Sequence, residues 1–369
     1  MAFTKPALLL AAFAAVTPLA FAQDDPEKAQ LRKELAELRQ QQSQMQEKFD
    51  KRITELEKKL NEKPKDKPAE GHVVKTEVLN QLRYDFDSGA NDSFYSRRLE
   101  VKFTGQVNKK VSFTAMADFA KTLKQDANGN VDQGSRILQD AYASVALGGP
   151  WSIDLGQKKI PFSMEALQST GELDTLERAL FLAQGKFGDV RDQGLWVNAK
   201  FPEVTATAAV TNGAGETQNS KDGNEQKSYG GRVVFKPKSL PGFQVGGSAI
   251  SGTDPSNFRK ERVGFEAMYK NADWTLKTEA ATALTGGIRQ TGWYGHAGYK
   301  FQPDFEAILR YDTFDPNRAV NADDITDVIF GLNYYLQGND AKLQLNMVNR
   351  RFGDTSHRTM WQLGLQTRW

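Results

Sequence analysis

From Gly71 to Trp369 the apolar residues of this chain recur with a period of two, and that spacing constrains the fold more than any other feature. The final stretch shows it most clearly. Trp361, Leu363, Leu365, Thr367 and Trp369 share one face of a strand, while Met360, Gln362, Gly364, Gln366 and Arg368 share the other. Side chains alternate faces along a strand, so one side is apolar and aromatic-ended and the other polar. An outer strand of this kind would leave a sticky edge in water. In a membrane-spanning barrel, an apolar outer face with interfacial aromatics and a polar lumen are what the solvent requires.

The same alternation runs through Val74–Phe86, Arg98–Phe103, Val111–Phe119, Trp151–Leu155, Leu195–Phe201, Val263–Tyr269, Trp274–Ala280, Phe305–Tyr311, Val328–Tyr334 and Leu343–Met347. Weaker segments at 136–147, 204–212, 229–236, 243–251 and 292–300 bring the expectation to sixteen antiparallel strands, an even number as in bacterial barrels. Short turns alternate with longer loops at 120–135, 160–190, 213–228, 252–261, 284–291, 314–326 and 351–358. All long loops then fall on one rim and all short turns on the other, the periplasmic one.

The rest of the chain fits export to a membrane. Lys5, the apolar run Ala7–Val16 and Ala20-Phe21-Ala22 predict a cleaved signal peptide over 1–22; a short membrane anchor is the alternative. No later apolar run is long enough for a helical span, and the mean hydropathy is negative. A closed barrel is then the remaining spanning solution, because backbone polar groups in a bilayer must pair internally. Cysteine is absent, which excludes disulfides and thiolate metal sites. Basic and acidic residues nearly balance both within the first seventy residues and beyond them, so bulk charge gives no reason to expect nucleic-acid binding.

Residues 23–62 read differently. Leu31, Leu35, Leu38, Gln42, Met45, Phe49 and Leu56 follow a four-three spacing, the seam of a heptad repeat. Arg52 and Lys59 interrupt it, with Ile53 and Leu60 one residue later. The expectation is a periplasmic α-helical coiled coil, with a solvated, partnerless helix as the alternative. Prolines in 63–71 make a stiff linker, and 72–369 forms the barrel.

Several motifs carry a family resemblance. Arg97-Arg98-Leu99 opens the second strand, and Leu138-Gln139-Asp140-Ala141-Tyr142 lies in the fourth. Gly156-Gln157-Lys158-Lys159-Ile160-Pro161-Phe162-Ser163 leads into the longest loop, which also holds Leu176-Glu177-Arg178. Asp315-Pro316-Asn317 and Gly331-Leu332-Asn333-Tyr334-Tyr335 follow later. With these, residues 72–369 resemble the phosphate-selective porins of the O and P type. The resemblance implies a homotrimer of sixteen-stranded barrels among outer-membrane lipids, each barrel with its own pore. It also implies that Trp369 serves as a signal to the assembly machinery. The loop 160–190, with Pro161, Phe162, Glu165, Glu177 and Arg178, corresponds in order and length to the constriction loop that folds into the lumen of general porins; lying outward is its alternative.

Pore selectivity is set by lining charge rather than net charge. Among inward positions, basic residues are about twice as frequent as acids, which points to small anions such as phosphate as solutes. Arg98, Lys102, Lys159, Arg191, Arg232, Arg262 and Arg310 are the expected selectivity residues, since guanidinium forks match phosphate or carboxylate oxygens. The alternative for each is an ion pair with an inward acid. No catalytic, metal or cofactor site is expected: His72, His296 and His357 lie on different segments with no nucleophile motif, and Asp323, Asp324 and Asp327 lack calcium-ligand spacing. A rival reading makes the barrel an anchor and the coiled coil a tether to peptidoglycan or another periplasmic partner.

Overall fold

The structure is a computed structural model that describes residues 26–61, 73–121, 124–125, 131–132, 137–214, 219, 221–254 and 256–369. The expected signal peptide and the linker 63–71 lie outside the described residues. Residues 1–71 and His72–Trp369 form two separate units.

In the first unit, helix α1 spans Pro26–Asn61. Glycine is absent from it and its one proline is the first residue, where proline is tolerated. Lys51 pairs with Glu47 one turn earlier, a weak exposed contact. Leu35, Leu38, Met45, Phe49, Ile53 and Leu56 stay exposed along its length.

The second unit is a closed antiparallel barrel. Its sixteen strands are β1 (Val74–Asp87), β2 (Ser93–Gln106), β3 (Val111–Asp118), β4 (Leu138–Gly148), β5 (Trp151–Lys159), β6 (Arg191–Lys200), β7 (Val204–Thr211) and β8 (Ser228–Phe235), followed by β9 (Phe243–Thr253), β10 (Arg259–Lys270), β11 (Trp274–Thr285), β12 (Ile288–Gln302), β13 (Phe305–Asp315), β14 (Ile325–Gln337), β15 (Ala341–Phe352) and β16 (His357–Arg368). A two-stranded ribbon, Lys124–Gln125 with Val131–Asp132, decorates the loop after β3. The seam pairs β1 with β16, with Leu82 opposite Leu365. Val78 and Trp369 exchange backbone hydrogen bonds of 2.8 and 3.0 Å. Trp369 itself points outward and is exposed.

Outward residues form an apolar surface flanked by aromatic pairs. At the short-turn rim Trp274 packs on Tyr299 and Phe305 on Tyr334, each with ring centroids 4.5 Å apart. Towards the other rim Tyr84 meets Phe94 and Trp293 meets Tyr311. These are the two interfacial girdles of a membrane barrel.

The strands outrun the alternation at several loops. The expected loop 284–291 shrinks to a tight turn at Gly286-Gly287, that at 252–261 is bounded by Thr253 and Arg259, and that at 351–358 by Phe352 and His357. Above the apolar band both faces meet water, so hydrogen-bonded pairing continues where the hydrophobic pattern has stopped.

Candidate functional site: a loop-divided lumen

The third long loop, between β5 and β6, turns into the barrel. It carries two single-turn helices, α2 (Met164–Leu167) and α3 (Leu180–Ala183). Pro161 and Phe162 are both buried. Phe162, Phe181, Leu182, Phe187 and Val190 pack with Ile250, Ala283, Tyr294 and Phe314 of the wall into an apolar core inside the barrel. Two glycines make room for it. A Cβ on Gly292 would lie 2.5 Å from the Phe181 Cβ, and one on Gly364 would lie 2.4 Å from Leu176 Cδ2. Any larger residue at either point would push the loop off the wall.

Backbone groups of the loop are satisfied by polar wall residues. Met164 and Glu165 donate their N–H groups to the Glu279 carboxylate at 2.8 Å, and Leu180 N–H donates to Asp312. Lys342 donates to the Leu173 carbonyl at 2.8 Å, Asn333 and Gln344 to that of Asp174, and Gln366 to that of Gly171. A loop buried in a lumen needs such partners for every polar backbone group.

Charge fastens it further. Four of the loop's five carboxylates are held by cations. Glu165 meets Arg310 at 2.7 Å, with the Arg310 guanidinium also 3.9 Å from the Tyr294 ring centroid and 3.1 Å from Asp312. Asp174 pairs with Lys277. Glu177 takes both Arg97 and Arg83. Asp189 lies 2.6 Å from Lys159 and 3.1 Å from Arg178. Burial alone would raise each of these acids, but the adjoining cations outweigh it. Glu165 is held down to about 2 by Arg310, and Asp174, Glu177 and Asp189 lie well below the usual carboxylate range.

The loop covers the wall from β9 round through β16 to β2, and two cavities remain on its other side. Two cavities flank the span Leu167–Glu172. One lies against Glu77, Glu100, Lys102, Asp140, Lys158, Lys159 and Arg191. The other lies against Arg232, Lys236, Lys270 and Lys277, with Glu172 and Asp174. The loop offers this side Gln168, Ser169 and Thr170 together with Glu172. Among the described residues, Lys102, Lys236 and Lys270 have no carboxylate within ion-pairing distance.

The seven expected selectivity residues therefore separate. Lys102, Lys159 and Arg191 come together in the first cavity, although Lys159 is tied to Asp189 and to the Ala166 carbonyl and Arg191 to Asp140 at 2.7 Å. Arg232 lines the second cavity, bonded to Glu266. Arg98 is buried and donates to Gln81. Arg262 donates to the Phe187 carbonyl at 2.8 Å, and Arg310 is 1% exposed. The last two hold the loop instead of facing the passage. His296, inward as expected, is likewise covered, with Asp174 3.7 Å away. Alternation cannot reveal this, because an inward residue meets water or a loop according to where that loop lies.

Sequence reasoning also missed Arg97. Strict alternation turns it to the lipid, but the β1–β2 register shifts between Gln81 and Leu82, from Arg98 to Ser96. The extra residue is a bulge, so Arg97 and Arg98 both turn inward. The adjoining pair of arginines was its one sequence signal, since two successive charges fit poorly in an alternating lipid-facing strand.

The family model for phosphate-selective porin O and P matches residues 75–252 and 246–368. An uncharacterized protein of Aquifex aeolicus (strain VF5) is 23% identical, covering 82% of this chain and 89% of its own length. Among solved structures, the anion-selective porin from Comamonas acidovorans superposes with a TM-score of 0.59 at 11% identity, over 81% of this chain and 100% of that one. The trimer form of OmpT, an outer membrane protein of Vibrio cholerae, gives 0.60 at 10% identity, over 81% and 100%. At these identities the structural matches speak for the fold.

Proposed function

Because the chain belongs to the phosphate-selective porin O and P family, whose fold makes it an outer-membrane channel and points away from an enzyme, we propose that its lumen passes small hydrophilic solutes by diffusion and favours anions such as phosphate. One observation carries this reading. The loop turns four of its carboxylates into the wall, while the two cavities beside it present Lys102, Lys236 and Lys270 without paired acids among the described residues. A passage lined this way has an excess of positive charge, and lining charge selects the ion. The matched porin of Comamonas acidovorans is described as anion-selective, which supports the same direction. Arg191 and Arg232 are partly neutralised and contribute less than the free lysines.

The functional unit in this reading is a homotrimer. The exposed stripe Leu35–Leu38–Met45–Phe49–Leu56 on α1 offers a heptad seam to copies of itself, and a three-stranded coil in the periplasm suits a trimer of barrels. The matched Vibrio cholerae protein has a trimer form.

Reconstitution in planar bilayers under a potassium chloride gradient tests both points. The reversal potential is expected near the chloride limit, with closure in three equal steps. Reversal near the potassium limit would overturn the anion preference, and unitary closure would overturn three pores per particle.

A further inference from the structure

Among the loop's paired acids, Glu177 is the most exposed, followed by Asp189 at 30%. Glu165 and Arg310 are both 1% exposed at their side chains, whereas Glu177 keeps 34% and its partner Arg97 keeps 29%. The pair therefore borders the water of the lumen. Its geometry is that of a receptor for a two-oxygen anion. Arg97 donates Nε to one carboxylate oxygen at 2.8 Å and Nη2 to the other at 2.9 Å, the parallel fork by which guanidinium also grips phosphate. Arg83 donates Nη1 to the first oxygen and is itself oriented by Asp85 at 2.7 Å.

Both arginines are placed by the barrel independently of Glu177. The β1–β2 bulge turns Arg97 inward beside Arg98, and Arg83 lies 5.7 Å from the centre of the Tyr95 ring. Glu177 is delivered by the loop, with Leu176 seated against Gly364 and Thr175 Oγ1 donating to the Glu177 carbonyl at 2.7 Å. Glu177 thus accepts from both guanidiniums, while Asp85 takes up part of the Arg83 charge.

We propose that Glu177 is a tethered anion occupying a two-arginine oxyanion site formed by Arg83 and Arg97, and that it thereby excludes permeating phosphate from this site. The inference rests on the lumen being the ion path. A carboxylate on a short tether acts at an effective concentration in the millimolar range or above, and phosphate at lower concentration does not displace it. Glutamine at 177 keeps the shape but gives up the charge. The guanidinium of Arg97 then borders the lumen with no carboxylate among the described residues bonded to it, beside the buried Arg83 that keeps Asp85, and a phosphate ion restores the balance.

The test uses the full chain in planar bilayers, with chloride current titrated by inorganic phosphate. Glu177→Gln is expected to reach half-block at a phosphate concentration roughly tenfold below that of the wild type, equivalent to about 1.4 kcal/mol. Adding Arg97→Gln to that variant should return the response to the wild-type value. Equal half-block in wild type and Glu177→Gln would overturn the proposal. So would a gain that survives in the double variant, which would assign it to loop loosening. A wild-type protein without any conductance would refute the channel reading itself, a different result from conducting variants that ignore phosphate.

Discussion

The two halves of the barrel wall face the same lumen, yet they solve opposite problems. From β9 through β16 to β2 the inward residues are covered by the third loop, and their charges are paired with its acids at short range. On the opposite wall inward residues line the two cavities, and Lys102, Lys236 and Lys270, on this side and at its borders, remain free of acids among the described residues. On the covered side a charge is a fastening, because a buried ion must be paired. On the open side a charge is a field that acts on whatever passes. The chemical type of a residue therefore says little about its role until its half of the wall is known. Arg310 and Lys270 are both inward cations, and they do different things.

The sharpest way to break this contrast is to remove a fastening. Glu165→Ala leaves Arg310 buried with Asp312 as its remaining carboxylate contact, and the cost should be about 3–5 kcal/mol. The loop is expected to leave the wall, giving larger single-channel conductance and a lower unfolding temperature. A variant with native conductance and native melting would show that the apolar core around Phe162 holds the loop without the ion pair.

Acid should loosen the same fastening more gradually. The Glu165 carboxyl is held at about 2 in the folded chain, below its unfolded value near 4.5. A depressed acid contributes stability that is complete above the unfolded value and is lost as pH falls towards the folded one. Loss of this fastening should accordingly raise conductance between about pH 4.5 and about pH 2. A rise centred near neutrality would assign the fastening to other groups.

The smallest effect belongs to the border of the open half, where Lys270 lines the second cavity. Lys270→Gln should reduce anion preference slightly at low salt and leave unfolding unchanged. At about 1 M salt, where the screening length is roughly 3 Å, the difference should vanish. If Lys270→Gln instead lowered the melting temperature as Glu165→Ala does, the division of the wall into fastening and field would fail.

Much of the barrel was legible because it rests on a period that every membrane strand must obey. Outward Leu309 and Tyr311 alternate with inward Arg310 and Asp312 whatever else the chain does. The site was less legible, for two physical reasons. A bulge shifts the side-chain period by one residue without any change in composition, which hid Arg97. The loop's course across the lumen depends on long-range contacts such as Glu165 with Arg310, 145 residues apart, and these leave no local pattern. The loop's apolar content did signal that Phe162, Phe181 and Phe187 needed cover. It did not say which strands would supply it.

The seam has a consequence for how the molecule is made. Gln81 and Gln366 meet across it at 2.7 Å, although 285 residues separate them. The other neighbouring strands follow one another in sequence and can zip as hairpins soon after synthesis, whereas closing the seam waits for nearly the whole chain. Until then β1 and β16 are raw edges whose unpaired backbone groups cost several kcal/mol each in hydrocarbon. Completion of the cylinder is thus the slow, high-contact-order event of folding. An unfinished sheet has reason to stay out of the bilayer, or in the keeping of a helper that caps its edges, until that last pairing is made.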